Sequence, residues 1–81
     1  MKLTPIASNM TELELNDGTR VLFSYSTPVA VFRPGSGWGR TATYYSKTTS
    51  GHINKWARLH GVSIPVAVSQ TTLDDFIATK G

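Results

Sequence analysis

The chain has 81 residues, of which 40% are hydrophobic and 16% charged, and it carries a formal net charge of +3. A chain of this length fits one small domain and buries only about 60 to 65% of the surface of its unfolded form, which leaves little material for a deep catalytic cavity. The absence of cysteine excludes disulfides and thiolate metal sites.

The N-terminal residues contain no signal for export or for a membrane. No apolar run approaches the roughly 18 residues that a membrane-spanning helix requires, and residues 1–5 have no hydrophobic region of a signal peptide. We therefore expect a soluble, intracellular protein with no membrane partner. Residues 1–10 show no periodicity, so either a strand-like arm or a loose leader is compatible with them.

The next segment predicts a β-hairpin. Polar and apolar residues alternate over 11–15, Asn16-Asp17-Gly18 is typical of a turn, and residues 19–25 are rich in β-formers. A three-residue loop with Gly18 in the left-handed conformation places Leu13 opposite Val21 and Glu14 opposite Arg20.

That register gives the hairpin one apolar face and one solvent face. Leu13, Leu15, Val21 and Phe23 share the apolar face, which should form the core. Glu12 and Glu14 then lie on the solvent face, where we expect them to be ordinary hydrated residues.

A second hairpin follows the break at Ser26-Thr27-Pro28. Residues 29–32 predict a buried strand, residues 34–39 a flexible glycine-rich tip, and residues 40–45 the returning strand. Tyr44 and Tyr45 would point to opposite faces of a regular strand, so one should be buried and the other exposed.

The C-terminal half predicts two helices. Residues 52–60 form the first, because threonine and serine hydroxyls precede them and Gly61 ends the pattern. Its apolar stripe consists of Ile53, Trp56, Ala57 and His60. Pro65 restricts residues 62–68 to a loop or an edge strand. Residues 71–77 have capping-box-like spacing and predict a short second helix.

These elements together predict a single α+β domain over residues 1–81. Two antiparallel β-hairpins form one sheet, a helix packs on one face of the sheet, and a short C-terminal helix completes the core.

Catalytic and metal-binding chemistry have little support in the sequence. The only histidines, His52 and His60, lie on one helix about 80° apart and do not converge. Asp74 and Asp75 are better explained as charges at the start of a helix than as ligands. The glycine-rich tip leads into a strand, whereas a phosphate loop leads into a helix. We therefore expect no enzyme activity, no metal and no cofactor.

The distribution of charge favours an anionic partner. All five acids lie near the chain ends, and no acid occurs between Gly18 and Leu73. Six basic residues lie in that interval, and Trp38 lies between two arginines in the glycine-rich tip. The structural alternatives are that these cations are merely solvated or meet the terminal acids in the fold, and that Trp38 folds back over the sheet. The candidate binding residues are Arg33, Trp38, Arg40, Lys47, Lys55 and Arg58.

Two segments carry a family resemblance: residues 11–30, with the turn Asn16-Asp17-Gly18 and the segment Phe23 to Ala30, and residues 47–56. They resemble a family of small phage- and prophage-encoded domains of unknown function. The resemblance covers about residues 8–57. It implies a phage accessory gene expressed in a bacterial cytoplasm, and it assigns no site residue.

Two functions are compatible with these features. The first is a non-catalytic phage protein that binds and modulates or inhibits a host macromolecular complex through the basic, Trp-containing surface. A nucleic-acid-handling or defence complex would fit, as for an anti-CRISPR protein. The alternative is direct nucleic-acid binding by the same residues, with Trp38 or a tyrosine as the stacking platform. The sequence does not specify the oligomeric state.

Overall fold

The computed structural model describes residues 2–35, 37–62, 66–71 and 73–74. Within these residues the chain forms six strands and one long helix. In chain order they are β1 (Lys2–Ala7), β2 (Met10–Glu14), β3 (Arg20–Ser24), β4 (Thr27–Arg33), β5 (Gly37–Thr41), α1 (Lys47–Leu59) and β6 (Val66–Val68).

The six strands form one mixed sheet in the order of the sequence, β1 to β6. Strands β1 to β5 are antiparallel neighbours joined by short turns. Strand β6 pairs with β5 in the parallel direction, with Arg40 opposite Ala67. A parallel pair needs a crossover connection, and α1 supplies it.

The predicted fold class is wrong in two respects. The structure has a six-stranded mixed sheet instead of two hairpins, because β1 and β6 extend the sheet at both edges. The second, C-terminal helix is not shown. Residues 70–71 and 73–74 have helical backbone, with the Leu73 N–H donating to the Ser69 carbonyl at 3.3 Å. Residues 75–77, the end of the predicted helix, lie outside the described residues.

The register predicted for β2 and β3 is confirmed. Leu13 lies opposite Val21 and Glu14 opposite Arg20. Gly18 has φ +90°, and the Leu15 N–H donates to the Thr19 carbonyl at 2.8 Å, so the connection is the three-residue loop that the sequence predicts.

The sheet is buried on both faces, which the hairpin model did not anticipate. One face carries a cluster of Val21, Val31 and Leu73, with Leu13, Phe23 and Val68 packed against it. The other face lies under α1. That second cluster contains Met10, Leu22, Val29, Ala30, Ile53 and Trp56, with Ile6, Ala7, Phe32 and Trp38 at its border.

Helix α1 begins five residues earlier than predicted. The Ser46 side chain accepts a hydrogen bond from the Thr49 N–H at 3.1 Å, which makes Ser46 the N-cap. The helix ends before Gly61, whose φ of +72° suits glycine at a helix C-terminus. Of the predicted stripe, Ile53, Trp56 and Ala57 are buried and His60 is half-buried.

No helix in the described part of the chain combines the length and the apolar character that a membrane crossing requires.

Candidate functional site

The face of the sheet under α1 contains a buried carboxylate. Glu12 is only 6% exposed, although the sequence pattern places it on a solvent face. The indole Nε1–H of Trp56 donates to Glu12 Oε1 at 2.7 Å, and His60 Nε2 lies 2.9 Å from the same oxygen. Arg20 Nη1 donates to Glu12 Oε2 at 2.9 Å. The predicted hydration of Glu12 is therefore wrong: both oxygens of this carboxylate are occupied by protein donors.

The contact with Glu12 determines that Nε2 of the His60 ring carries a hydrogen. An ionised carboxylate can only accept hydrogen bonds, so His60 must carry a proton on Nε2 to bond with it. Burial of Glu12 raises the pKa of its carboxyl, but the hydrogen bonds from Trp56, His60 and Arg20 and the attraction to His60 lower it. The net pKa lies below the ordinary value of 4.5.

Aromatic rings surround this carboxylate. The Trp38 ring lies 4.4 Å from that of Phe32, 4.9 Å from that of His60 and 5.2 Å from that of Trp56, measured between centroids. The two indoles meet edge to face, an arrangement that aromatic quadrupoles favour. We refer to Glu12, Arg20, Trp38, Trp56 and His60 as the Glu12 cluster.

A second polar group joins the start of α1 to β3. Ser46 donates to Thr49 Oγ1 at 3.3 Å, Thr49 Oγ1 lies 3.0 Å from Ser24 Oγ, and Ser24 Oγ lies 2.8 Å from His52 Nδ1. Each hydroxyl can donate one hydrogen bond and accept another. A chain of donors running Ser46, Thr49, Ser24, His52 satisfies all of these contacts and leaves Nδ1 of His52 as the acceptor.

The Ser24–His52 pair has the distance of a nucleophile and its base but lacks the other requirements of that chemistry. Ser24 is only 2% exposed, so a substrate has no path to its hydroxyl in this arrangement. The contacts described for His52 include no carboxylate that would orient it as a base. We interpret the pair as a buried polar contact that holds α1 on the sheet.

The described residues offer no metal site either. They contain no group of three or more histidine, cysteine, aspartate and glutamate side chains in an arrangement that could hold an ion.

Three of the predicted binding residues lie on one side of α1. At about 100° per residue, Lys47, Lys55 and Arg58 fall within an arc of about 80°. All three are exposed, and the arc lies opposite the buried residues Ile53 and Trp56. We call Lys47, Lys55 and Arg58 the cationic face.

The other three predicted binding residues do not join this face. Trp38 is half-buried in the Glu12 cluster, so of the two alternatives for this ring the structure shows the one in which it folds back over the sheet. Arg40 is half-buried, and its Nε donates to the Thr41 carbonyl at 3.3 Å. Arg33 is exposed and shares the strand face of Val31, which points away from α1.

The surface carries three exposed tyrosines, where the sequence predicted one. Tyr44 and Tyr45 are 71% and 45% exposed, because β5 ends at Thr41 and neither residue belongs to a strand. The prediction that one of the two is buried is wrong. Tyr25 is 56% exposed in the turn between β3 and β4, and its ring centroid lies 6.1 Å from that of His52.

One pattern in the sequence could have predicted that Glu12 is buried. Residues 29–32 are apolar without interruption and Val21 and Leu22 are adjacent, a pattern typical of strands buried on both faces. Glu12 lies opposite Leu22 in the predicted register, so burial of both faces implies burial of Glu12.

Comparison with known proteins identifies the family. Residues 1–74 match the model of DUF8033, which is described as a family of unknown function. The chain belongs to the DUF8033 family. No curated protein and no solved structure matches it.

The DUF8033 match covers all the strands and the helix of the structure, including the segment after Ala57. It therefore extends well beyond residues 8–57, over which the sequence resemblance was recognised. The match assigns neither an activity nor a source to the chain.

Proposed function

We propose that this protein is a non-catalytic phage accessory protein that binds a nucleic-acid-handling complex of its bacterial host through the cationic face. The bacterial cytoplasm is the corresponding location. Binding would modulate or inhibit the complex, and a defence complex such as a CRISPR effector is one target of suitable chemistry.

The observation that supports this proposal is the concentration of charge on α1. Lys47, Lys55 and Arg58 are exposed on one side of the helix, and the helix sequence contains no acid. Cations gathered without neighbouring carboxylates attract anionic partners and accelerate association with them. The Glu12 cluster, in contrast, is directed inward and supports the fold.

The exposed tyrosines favour a second candidate, direct nucleic-acid binding. Tyrosine rings can stack on unpaired bases while neighbouring cations contact phosphates. Trp38 no longer serves as the stacking platform in this candidate, since its ring packs in the Glu12 cluster.

Affinity capture from a bacterial lysate with matched variants tests the proposal. Lys55→Gln/Arg58→Gln removes two charges from the cationic face, and Lys2→Gln/Arg33→Gln removes two exposed charges elsewhere. We expect the first variant to capture at least about tenfold less of the complex than the wild type, and the second variant to capture as much as the wild type. Circular dichroism should show both variants folded.

Equal losses in the two variants would show that only net charge matters and would contradict a defined face. Nuclease treatment of the lysate separates the two candidates. A partner that remains after digestion is bound through protein, whereas a partner lost after digestion is held through nucleic acid.

A further inference from the structure

The turn between β3 and β4 holds a large side chain in a backbone conformation that disfavours it. Tyr25 has φ +58°, and Ser24 and Thr27 pair on either side of the two-residue loop that it begins. Glycine is favoured at such a position, and asparagine tolerates it, whereas a bulky residue there is strained. The Tyr25 N–H donates to the Asn9 carbonyl at 2.7 Å, which fixes the strained residue in place.

The ring displayed by this turn is not part of the core. More than half of Tyr25 is exposed, and its described ring contact is with His52, at a tilt of 47°. His52 is itself hydrogen-bonded to Ser24, with 2.8 Å between Ser24 Oγ and His52 Nδ1, so the Tyr25 ring lies beside a side chain that is anchored on β3. A backbone conformation that disfavours the residue, combined with exposure of its side chain, indicates a role outside folding.

The position of Tyr25 relates it to the cationic face. His52 and Lys55 are one turn apart on α1 and differ by about 60° around its axis. The Tyr25 ring beside His52 therefore borders the side of α1 that carries Lys55. An exposed aromatic ring on the border of a helix face that carries exposed cations, in a segment of sequence without acids, matches the chemistry of an unpaired nucleic-acid strand.

We propose that Tyr25 is a stacking residue for the bases of single-stranded nucleic acid, with the cationic face contacting the phosphates. This inference rests on the proposed function because it uses the same face, and it identifies the component of the host complex that the face contacts. The opposing possibility is that the cationic face contacts an acidic protein surface, and the test below distinguishes the two.

A fluorescein-labelled 20-nucleotide oligo-dT and a labelled duplex of the same length serve as probes in fluorescence anisotropy at low salt. The wild-type protein should prefer the single strand. Tyr25→Asn should weaken single-strand binding by at least about tenfold while affecting duplex binding much less, because paired bases are not available for stacking. Tyr25→Phe keeps the ring on the same backbone and should bind as the wild type does.

A melting curve of each variant completes the experiment. Tyr25→Asn should melt at or above the wild-type temperature, since asparagine suits the positive φ. Single-strand binding by Tyr25→Asn within twofold of wild type, preference of the wild type for the duplex, or no binding of either probe would each overturn the inference. A melting temperature clearly below that of wild type would also overturn it, because the ring would then be required for packing.

These outcomes are distinguishable from failure of the proposed function. If neither probe binds but Lys55→Gln/Arg58→Gln still loses the captured host complex, the stacking role fails and the proposed function stands. If oligo-dT binds through Tyr25 while both charge variants capture the same partners, the proposed binding of the host complex through the cationic face fails.

Discussion

At the scale of single residues, Glu12 is a polar link between α1 and the sheet. It accepts hydrogen bonds from Trp56 and His60 of the helical segment and from Arg20 of β3. Glu12→Ala would leave the Trp56 N–H without its acceptor and Arg20 without its closest carboxylate. We expect a loss of about 2 to 4 kcal/mol in the free energy of unfolding, measured by urea denaturation.

Glu14→Ala is the matched control. Glu14 lies 3.7 Å from Arg20, and its side chain is 41% exposed, so this ion pair is weak. Its removal should cost less than about 1 kcal/mol. Equal losses from the two substitutions would show that the buried hydrogen bonds of Glu12 add nothing beyond surface electrostatics.

The residues that the sequence did not predict are those whose environment depends on distant elements. The Glu12 carboxylate meets Trp56, 44 positions away, and no local pattern reports that contact. Trp38 is half-buried because Phe32, Trp56 and His60 surround its ring, although glycines flank it in sequence. The cationic residues of α1 were predictable, since helical periodicity alone places Lys55 and Arg58 opposite the apolar stripe.

At the scale of elements, the N-cap of α1 is a local contact with a measurable effect. Ser46→Ala removes the acceptor of the Thr49 N–H and the donor to Thr49 Oγ1. We expect a loss of about 1 kcal/mol, seen as a lower melting temperature by circular dichroism. Ser46→Asp should retain most of the stability, because the first turn of α1 carries no acid and the helix dipole favours one there.

Thr48→Ala provides the control for this cap, because Thr48 is exposed in the same turn. Its effect should be within about 0.5 kcal/mol. A loss from Thr48→Ala as large as that from Ser46→Ala would contradict the assignment of Ser46 as the cap.

Local sequence patterns predicted the elements that short-range turns and caps determine. They did not predict the strand pairs that depend on distant parts of the chain. The turn Asn16-Asp17-Gly18 determines the register of β2 and β3, and that register is confirmed. Strand β1 has no alternation in its sequence and forms because β2 offers it a partner, with Leu3 opposite Leu13. The edge-strand alternative for residues 62–68 is confirmed over Val66–Val68, but its parallel direction follows from the crossover through α1.

At the scale of the molecule, the error in fold class follows from treating the sheet as one-sided. A chain of 81 residues has little apolar area, and this one covers both faces of the sheet with α1 on one side and Leu73 on the other. The face that the sequence assigns to solvent therefore lies under the helix. Burial of that face makes the polar groups of the Glu12 cluster necessary, because a buried carboxylate must be hydrogen-bonded.

The same arrangement makes the stability of the whole molecule depend on pH. The pKa of Glu12 is below 4.5 in the folded protein, so the folded state binds fewer protons than the unfolded state as the pH falls past that value. The stabilisation from the ionised carboxylate is complete above the unfolded pKa and is lost as the pH falls through the folded one. Below about pH 5 the free energy of unfolding should therefore decrease.

Urea denaturation of the wild type, Glu12→Gln and Glu14→Gln at a series of pH values tests this dependence. Glu12→Gln has no carboxyl to protonate at this position, so its stability should be lower at neutral pH and should fall less steeply under acid. Glu14→Gln should retain the steep acid loss of the wild type, because Glu12 remains in place. If the free energy of unfolding falls with pH equally steeply in the wild type and in Glu12→Gln, the acid sensitivity comes from carboxyls other than Glu12, which contradicts the prediction.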